Sequence, residues 1–206
     1  MYLRTLSGTQ GVPNGLLAAM FEARKRIFVD LLGWDVPVVA GRYEVDQFDD
    51  PRATYLILTD QSGKHLGSAR LLETERPHIL DTLFPKLCED AVPKGPATRE
   101  ITRFALDPRQ NARRRRRVRD TLVCALADHA LASGIEAYTG VAEIAWLQQI
   151  LAFGWHCEPL GLPRENGASL LGALRIAITR ETPMLLARAG LVPEPIVTPH
   201  PVRHAA

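Results

Sequence analysis

Residues 99–107 read "REITRFALD" and are followed, after a short connection, by "RRRRVRDTLVCALADHALASG" at 114–134. The first reads as a strand. The second is a helix whose Val118, Leu122, Val123, Leu126 and Leu131 form a predicted buried stripe, with Gly134 just past its end. The pattern then repeats as "IEAYTGVA" (135–142), a strand, and "EIAWLQQILAFG" (143–154), a helix. Two further strands are predicted in "WHCEPLG" (155–161) and "SLLGALRIAITR" (169–180), and a last helix in "ETPMLLARAG" (181–190).

Working back toward the N-terminus, "ATYLILTD" (53–60), "QSGK" (61–64) and "HLGSARLLET" (65–74) read as strand, turn and strand. Residues 78–92 predict a short helix running into the Pro/Gly-rich connection "VPKGPAT" (92–98). In "NGLLAAMFEARKRIFVDLL" (14–32), Leu16, Leu17, Met20, Phe21, Ile27, Phe28 and Leu31 recur at helical spacing, with Asn14 as N-cap and Gly33 as stop. Between that helix and the first strand pair, "WDVPVVAGRYEVDQFDDPR" (34–52) follows neither period and reads as a long loop, a length usually kept for function. With no repeat and no linker, residues 1–192 are expected to form one α/β domain, a mixed central sheet flanked by helices. The Pro-rich tail, residues 193–206, is expected to be poorly ordered.

At 206 residues, 46% hydrophobic and 23% charged, the composition is that of a globular protein with one sizeable core. No apolar run approaches the ~18 residues that cross a bilayer, and the N-terminus lacks a signal-peptide core. Cys88, Cys124 and Cys157 are odd in number and far apart, without CxxC spacing. That predicts a reduced, cytoplasmic protein with no disulfide and no structural metal.

Within the loop, "YEVDQFDD" (43–50) packs four carboxylates, Glu44, Asp46, Asp49 and Asp50, into eight residues. It is either a solvated loop, ion-paired to Arg24 or Arg70, or one wall of a site for a cation.

Four pieces occur in order: Arg24, Phe28 and Trp34 at the first helix and its exit; Asp46 and Asp49 in "EVDQFD"; Arg70 in "GSARLL"; and Glu100 and Arg103 in "REITRFALD". This ordered set resembles the LuxI-type acyl-homoserine-lactone synthases, which make quorum-sensing signals (autoinducers). One departure is Arg99, where relatives often carry Trp. Residues 24–103 carry the motifs, and the second half is similar in its order of elements. The resemblance implies an N-acetyltransferase-like (GNAT-like) α/β/α sandwich, with a cleft at a splayed, bulged strand. It also implies an acyltransferase that moves an acyl group from a thioester, on acyl-carrier protein or coenzyme A, to the amine of S-adenosylmethionine. Lactone closure then releases 5′-methylthioadenosine. No permanently bound cofactor and no metal are implied.

On that resemblance Asp46, Asp49, Arg24, Phe28, Trp34, Arg70 and Arg103 shape the S-adenosylmethionine end. Carboxylates offset its cationic groups, an Arg grips its carboxylate, and aromatic faces attract cations or stack on adenine. Glu100 is the candidate base for the amine, strengthened by burial; the alternative is a structural salt bridge to Arg103. Residues three apart in a regular strand face opposite ways, so Glu100 and Arg103 share a cleft only if a bulge intervenes between residues 99 and 105. Backbone N–H groups at Phe104 and Ala105 are the candidate oxyanion donors.

The acyl tail is expected to pass Leu122, Leu126, Trp146, Ile150 and Leu151, residue types that equally make plain core. Synthases of 3-oxo-acyl signals carry a Thr near the start of the following helix, a place that falls at Ala142 or Glu143, close to Thr139; this implies a product without the 3-oxo group. Arg113, Arg114, Arg115, Arg116 and Arg117 open the long helix. They are a solvated helix start or a dock for an acidic acyl-carrier protein or its pantetheine phosphates. Nucleic acid is the weaker reading, given a net charge of only +2 and no accompanying aromatics. An ordinary coenzyme-A-dependent N-acetyltransferase is the alternative enzyme, but "PRQNARRRRRVRD" (108–120) has no glycine where that class has a glycine-rich loop.

Overall fold

The computed structural model describes residues 1–8 and 15–197. Asn14, expected as a helix cap, and residues 198–206 lie outside the described residues. In chain order the elements are β1 (Tyr2–Ser7), α1 (Gly15–Arg24) with a π-helical continuation (Lys25–Leu31), β2 (Val38–Val39), β3 (Tyr43–Glu44), β4 (Thr54–Thr59) and β5 (His65–Glu73). Then come α2 (Ile79–Thr82), a 3₁₀ turn (Pro85–Leu87), β6 (Thr98–Leu106), α3 (Ala112–Ser133), β7 (Ala137–Glu143) and α4 (Ile144–Leu151). The last elements are β8 (His156–Pro159), β9 (Arg164–Asn166), β10 (Ser169–Ala177) and α5 (Thr182–Arg188).

The described residues form a sheet in the order β1-β4-β5-β6-β7-β10-β8, with β9 on the far end of β10, and β2-β3 as a separate small hairpin. β6 and β7 run parallel, joined by the α3 crossover, while the flanking pairs are antiparallel. Alternation along the strands builds two cores. Leu56, Leu58, Ala69 and Leu71 pack on α3 through Val118, Leu122, Leu126 and Ala130. Tyr55, Ile57 and Leu72 pack on Met20 and Phe21 of α1. Helices therefore cover both faces, as expected for an α/β/α sandwich.

The parallel pairing of β6 and β7 lasts for four positions, from Thr98↔Ala137 to Ile101↔Gly140. Beyond it β6 stays with β5 and β7 stays with β10, so the sheet splays and opens a cleft.

Several expectations change. Leu31 is 63% exposed rather than buried. A π turn takes an extra residue, seen in the bond from Leu32 N–H to Ile27 O, and this carries Leu31 off the inner face while Ile27 and Phe28 stay in. Leu131 is 38% exposed, and Ala127 and Ala130 complete the inner stripe of α3 instead. The loop at 34–52 contains the β2–β3 hairpin, turned by Ala40 and Gly41 at φ 51° and 64°. β1, which carries no readable apolar period, is an edge strand on β4. The start of the tail is also anchored. Pro195 O accepts from the Met1 amine, Val197 N–H donates to Met1 O, and Glu194 N–H donates to Thr121 Oγ1.

Candidate active site

The site starts from the bulge. Ser68 pairs with Ala105 and Arg70 with Thr102, so Arg103 and Phe104 stand opposite the single residue Ala69. Glu100 and Thr102 face the α1 side, as their partners Leu72 and Arg70 do. Alternation would turn Arg103 away from them. Its φ of +49° brings it back to the same side, and Phe104 and Ala105 then resume the alternation. A non-glycine residue in this region is strained by about 1 kcal/mol or more, and it persists when its contacts hold it there.

Those contacts form a buried ion network. Arg103 donates to Glu44 Oε1 through Nε at 3.1 Å and Nη2 at 2.9 Å, and to Asp46 Oδ2 through Nη2 at 2.8 Å. Arg70 grips Asp46 through Nη1 at 2.6 Å and Nη2 at 3.0 Å, and its Nε donates to Thr102 Oγ1 at 2.9 Å. Arg24 holds both oxygens of Asp49 and also donates to Glu44. Arg70 Nη1 lies 2.8 Å from Asp49 Oδ1, which accepts from the Tyr55 hydroxyl as well. The acid stretch presents these carboxylates because it is a tight turn, closed by Asp49 N–H to Asp46 O and Phe48 N–H to Asp46 Oδ1. Burial works against the charged form of Asp49, but Arg24 and Arg70 outweigh it and hold the carboxyl well below its ordinary range. Burial likewise opposes the Arg24 charge, and Asp49 and Glu44 more than offset it. Removing one partner from such a buried set typically costs about 3–5 kcal/mol.

The splay of β6 from β7 holds a cavity of about 920 Å³. One part of its wall is Phe28, Trp34, Asp46, Glu100, Arg103 and Thr139. Phe28 and Trp34 stack at 4.8 Å, and the Arg103 guanidinium lies 5.4 Å and 5.9 Å from their rings. The other part is apolar: Phe104, Leu126, Trp146, Ile150, Phe153 and Trp155. There Trp146 links Phe104, at 5.2 Å, to Phe153, at 5.8 Å.

Glu100 is fully buried. Its Oε1 accepts the Leu80 N–H at 3.0 Å, while among the described residues no hydrogen bond reaches Oε2. Burial pushes its pKa up to about 7, against the pull of the Leu80 and Ile79 amides. Its register partner on β7 is Thr139, whose buried hydroxyl also has no partner among the described residues.

The expected site residues thus separate. Phe28, Trp34, Asp46, Glu100 and Arg103 meet at the cavity, with Phe104, Leu126, Trp146 and Ile150. Arg24, Asp49 and Arg70 stand behind its wall as the ion network, so the acid stretch is largely neutralised from within rather than open to a cation. Ala105 faces Ile27 and Phe28, Leu122 fills the core under the sheet, and Leu151 packs at the core edge, all off the cavity wall. Arg103 pairs with Glu44 and Asp46, which leaves Glu100 to α2. Glu44, which joins Arg24 to Arg103, was visible only as one more acid in a run. Thr139 needed the strand register, and Phe153 and Trp155 the turn that follows α4, to be recognised. Arg113, Arg114, Arg115, Arg116 and Arg117 are exposed, and Arg117 bonds Glu194. Among the described residues no cluster of His, Cys, Asp and Glu could hold a metal, and no helix is long and apolar enough to cross a membrane.

A parallel strand pair splaying beside a bulge, between two helical layers, is the layout of the N-acetyltransferase-like fold. A protein from Lactobacillus plantarum named as an N-acetyltransferase superposes with a TM-score of 0.59 over 87% of this chain and 100% of its own, at 15% identity, a likeness of fold alone. The chain belongs to the autoinducer synthase family, whose model matches residues 12–184, and is an acyltransferase of the acyl-homoserine-lactone synthase class. It is similar to the acyl-homoserine-lactone synthase of Ralstonia nicotianae, 31% identical over 199 residues, 92% of this chain and 97% of the relative. That of Rhizobium etli is 35% identical over 148 residues, 70% and 69% of the two chains. Among solved structures, BjaI, a CoA-dependent acyl-homoserine lactone synthase with MTA, matches with a TM-score of 0.82 at 25% identity, covering 97% of this chain and 94% of its own. TofI, in a ternary complex with an inhibitor and MTA, matches with a TM-score of 0.76 at 28% identity, covering 91% and 97%.

Proposed function

We propose that the protein joins the acyl group of an acyl thioester to the amine of S-adenosylmethionine and releases an acyl-homoserine lactone with 5′-methylthioadenosine. The observation that carries this reading is the two-part cavity: an ion-paired, aromatic part with a buried carboxyl adjoins an apolar part lined by Trp146, Ile150 and Phe153. S-adenosylmethionine occupies the first part, its carboxylate toward Arg103 and its adenine or sulfonium toward Phe28 and Trp34. Asp46 fixes the Arg103 head group at the cavity wall, while Arg24, Asp49 and Arg70 keep Asp46 and Arg103 in place. The apolar part takes an acyl chain well beyond the two carbons of acetyl, which favours this reading over a simple acetyltransferase.

Glu100 takes a proton from the α-ammonium, and the neutral amine attacks the thioester carbonyl. A carboxyl with a pKa near 7 is matched to this task at neutral pH. The Phe104 amide at the bulge is the oxyanion donor; the tetrahedral adduct collapses, the C–S bond breaks, and the thiol leaves with a proton. The methionine carboxylate then attacks the carbon next to the sulfonium, closing the lactone and expelling 5′-methylthioadenosine. The Thr139 hydroxyl, beside Glu100, serves an oxygen on the acyl chain near the thioester, which reopens a substituted product. The exposed arginines 113–116 dock an acidic acyl-carrier protein as donor, or the phosphates of acyl-coenzyme A.

Mass spectrometry of purified protein with S-adenosylmethionine and a panel of carrier-protein and coenzyme-A thioesters tests this reading. An acyl-homoserine lactone formed in step with 5′-methylthioadenosine is the expected result, and the best donor identifies the carrier. N-acylation of some other amine without 5′-methylthioadenosine overturns it.

A further inference from the structure

The reaction proposed above leaves one element beside Glu100 without a task. α2 is a single turn, yet its Leu80 N–H donates to Glu100 Oε1 at 3.0 Å, and the Ile79 amide adds to the pull toward the ionised carboxyl. First-turn amides have no partner within their own helix, so they are available to a side chain. The local sequence prepares them. His78 is extended (φ −138°, ψ 172°), and its carbonyl accepts from both the Thr82 hydroxyl, at 2.6 Å, and the Thr82 N–H, at 2.9 Å, which closes the turn. Lys94 anchors Asp81 at 2.8 Å. Ile79 and Leu80 are buried, which fixes the turn against the sheet.

We infer that α2 is the positioning element of the general base: its Leu80 amide holds Glu100 Oε1, with the Ile79 amide beside it, and leaves Oε2 as the atom that accepts the proton. This rests on the proposed role of Glu100. α2 and the residues just after it also reach the substrate, since Ile79, Leu83 and Phe84 line the cavity. A bound substrate therefore presses on the same turn that orients the base. The charged groups that face Glu100 are Arg70 from β5 and Asp81 from α2, with Arg103 and Asp46 on the cavity wall. β7 contributes the uncharged Thr139.

The test uses two substitutions at one position. Ile79→Pro deletes one amide donor at a first-turn position that tolerates proline, behind a residue already extended as proline requires. Ile79→Ala loses the same side-chain packing but keeps the donor. The acid limb of kcat/KM against pH is measured for both. Amide donors favour the carboxylate, so the Ile79→Pro midpoint should rise by about one pH unit, about the worth of one hydrogen bond to a charged group, with Ile79→Ala unmoved. Coincident midpoints for the two variants overturn the inference. If the parent enzyme has no acid limb, or Glu100→Gln retains it, the base assignment fails instead. Should Ile79→Pro not fold, ¹³C-carboxyl NMR of Glu100 in Asp81→Asn reads the same element. A lowered midpoint supports α2 as the tuning element, and an unmoved one overturns it.

Discussion

Arg24 and Asp49 meet through two parallel hydrogen bonds, Nη1 to Oδ1 at 2.8 Å and Nη2 to Oδ2 at 2.9 Å, with both side chains sealed from solvent. This pair ties the first helix to the acid turn beneath the cavity, so its first effect is on folding. Asp49→Ala should cost about 3 kcal/mol or more at neutral pH, read by chemical denaturation. Because the Asp49 carboxyl is held below its ordinary range, its contribution is present above about pH 4, the unfolded value, and is lost as pH falls toward its folded one. The gap between parent and variant should therefore narrow in acid. A gap that persists unchanged at pH 2 would remove the ionised pair from the explanation.

Glu100 works in the opposite sense. Its folded pKa of about 7 lies above the ordinary 4.5, so the folded state binds the proton more tightly than the unfolded one. The resulting instability is absent below pH 4.5, grows between 4.5 and 7, and is complete above 7. Glu100→Gln should thus gain up to about 3 kcal/mol at pH 8 and almost nothing at pH 4, while turnover falls by about 100-fold or more. A variant that keeps its turnover would end the role of Glu100 as base.

Arg103 combines a strained backbone with a functional head group, and two variants separate them. Arg103→Gly relieves the positive φ, whereas Arg103→Ala keeps it, so the glycine form should be more stable by about 1 kcal/mol. Both should lose S-adenosylmethionine binding, measured by calorimetry. If both bind as the parent does, the guanidinium serves the bulge alone.

The arginine run can be tested without touching the cavity. Replacing Arg113, Arg114, Arg115 and Arg116 by Glu should leave the melting temperature unchanged or raise it, since acids suit a helix N-terminus. KM for a carrier-protein thioester should rise about tenfold or more, and the effect should weaken with salt. Unchanged KM with every donor would return the run to solvated surface. Arg117 is set apart by its bond to Glu194.

Acyl selectivity should follow the apolar wall. Ile150→Trp should shift the preferred donor to shorter chains, and Thr139→Val should lower the preference for donors oxygenated near the thioester by about tenfold. Competition between paired donors, read by mass spectrometry, decides both. An unchanged preference in Ile150→Trp would move the chain to another wall.

The ordered charges at Arg24, Asp46, Asp49, Arg70, Glu100 and Arg103 could be picked out through their resemblance to the family's motifs, because the order of motifs along a chain is visible before the fold brings the segments together. The strand–helix alternation after residue 99 was equally legible, because apolar spacing states which face is buried. What stayed hidden depends on register or on backbone angles that any side chain conceals. Ala40 and Gly41 carry no Asn-Gly signature, yet they turn a hairpin that delivers Glu44. The partners of Glu44 lie 20 and 59 residues away. The π turn that expels Leu31 leaves no mark in the residue spacing. Thr139 becomes part of the site only when it is known to stand opposite Glu100 in a parallel pair.

The bonds among Met1, Leu3, Pro195 and Val197 bring the first residues of the chain beside its last described segment at the edge of the sheet. Met1 and Val197 are therefore near enough to be joined directly. A short linker from Val197 to Met1, with a new opening at the exposed turn 61–64, would give a circular permutant designed to keep the strand neighbours and the cavity wall described above. The order in which the strands leave the ribosome would then change while the catalytic cleft stayed the same, separating the route of folding from the chemistry it serves.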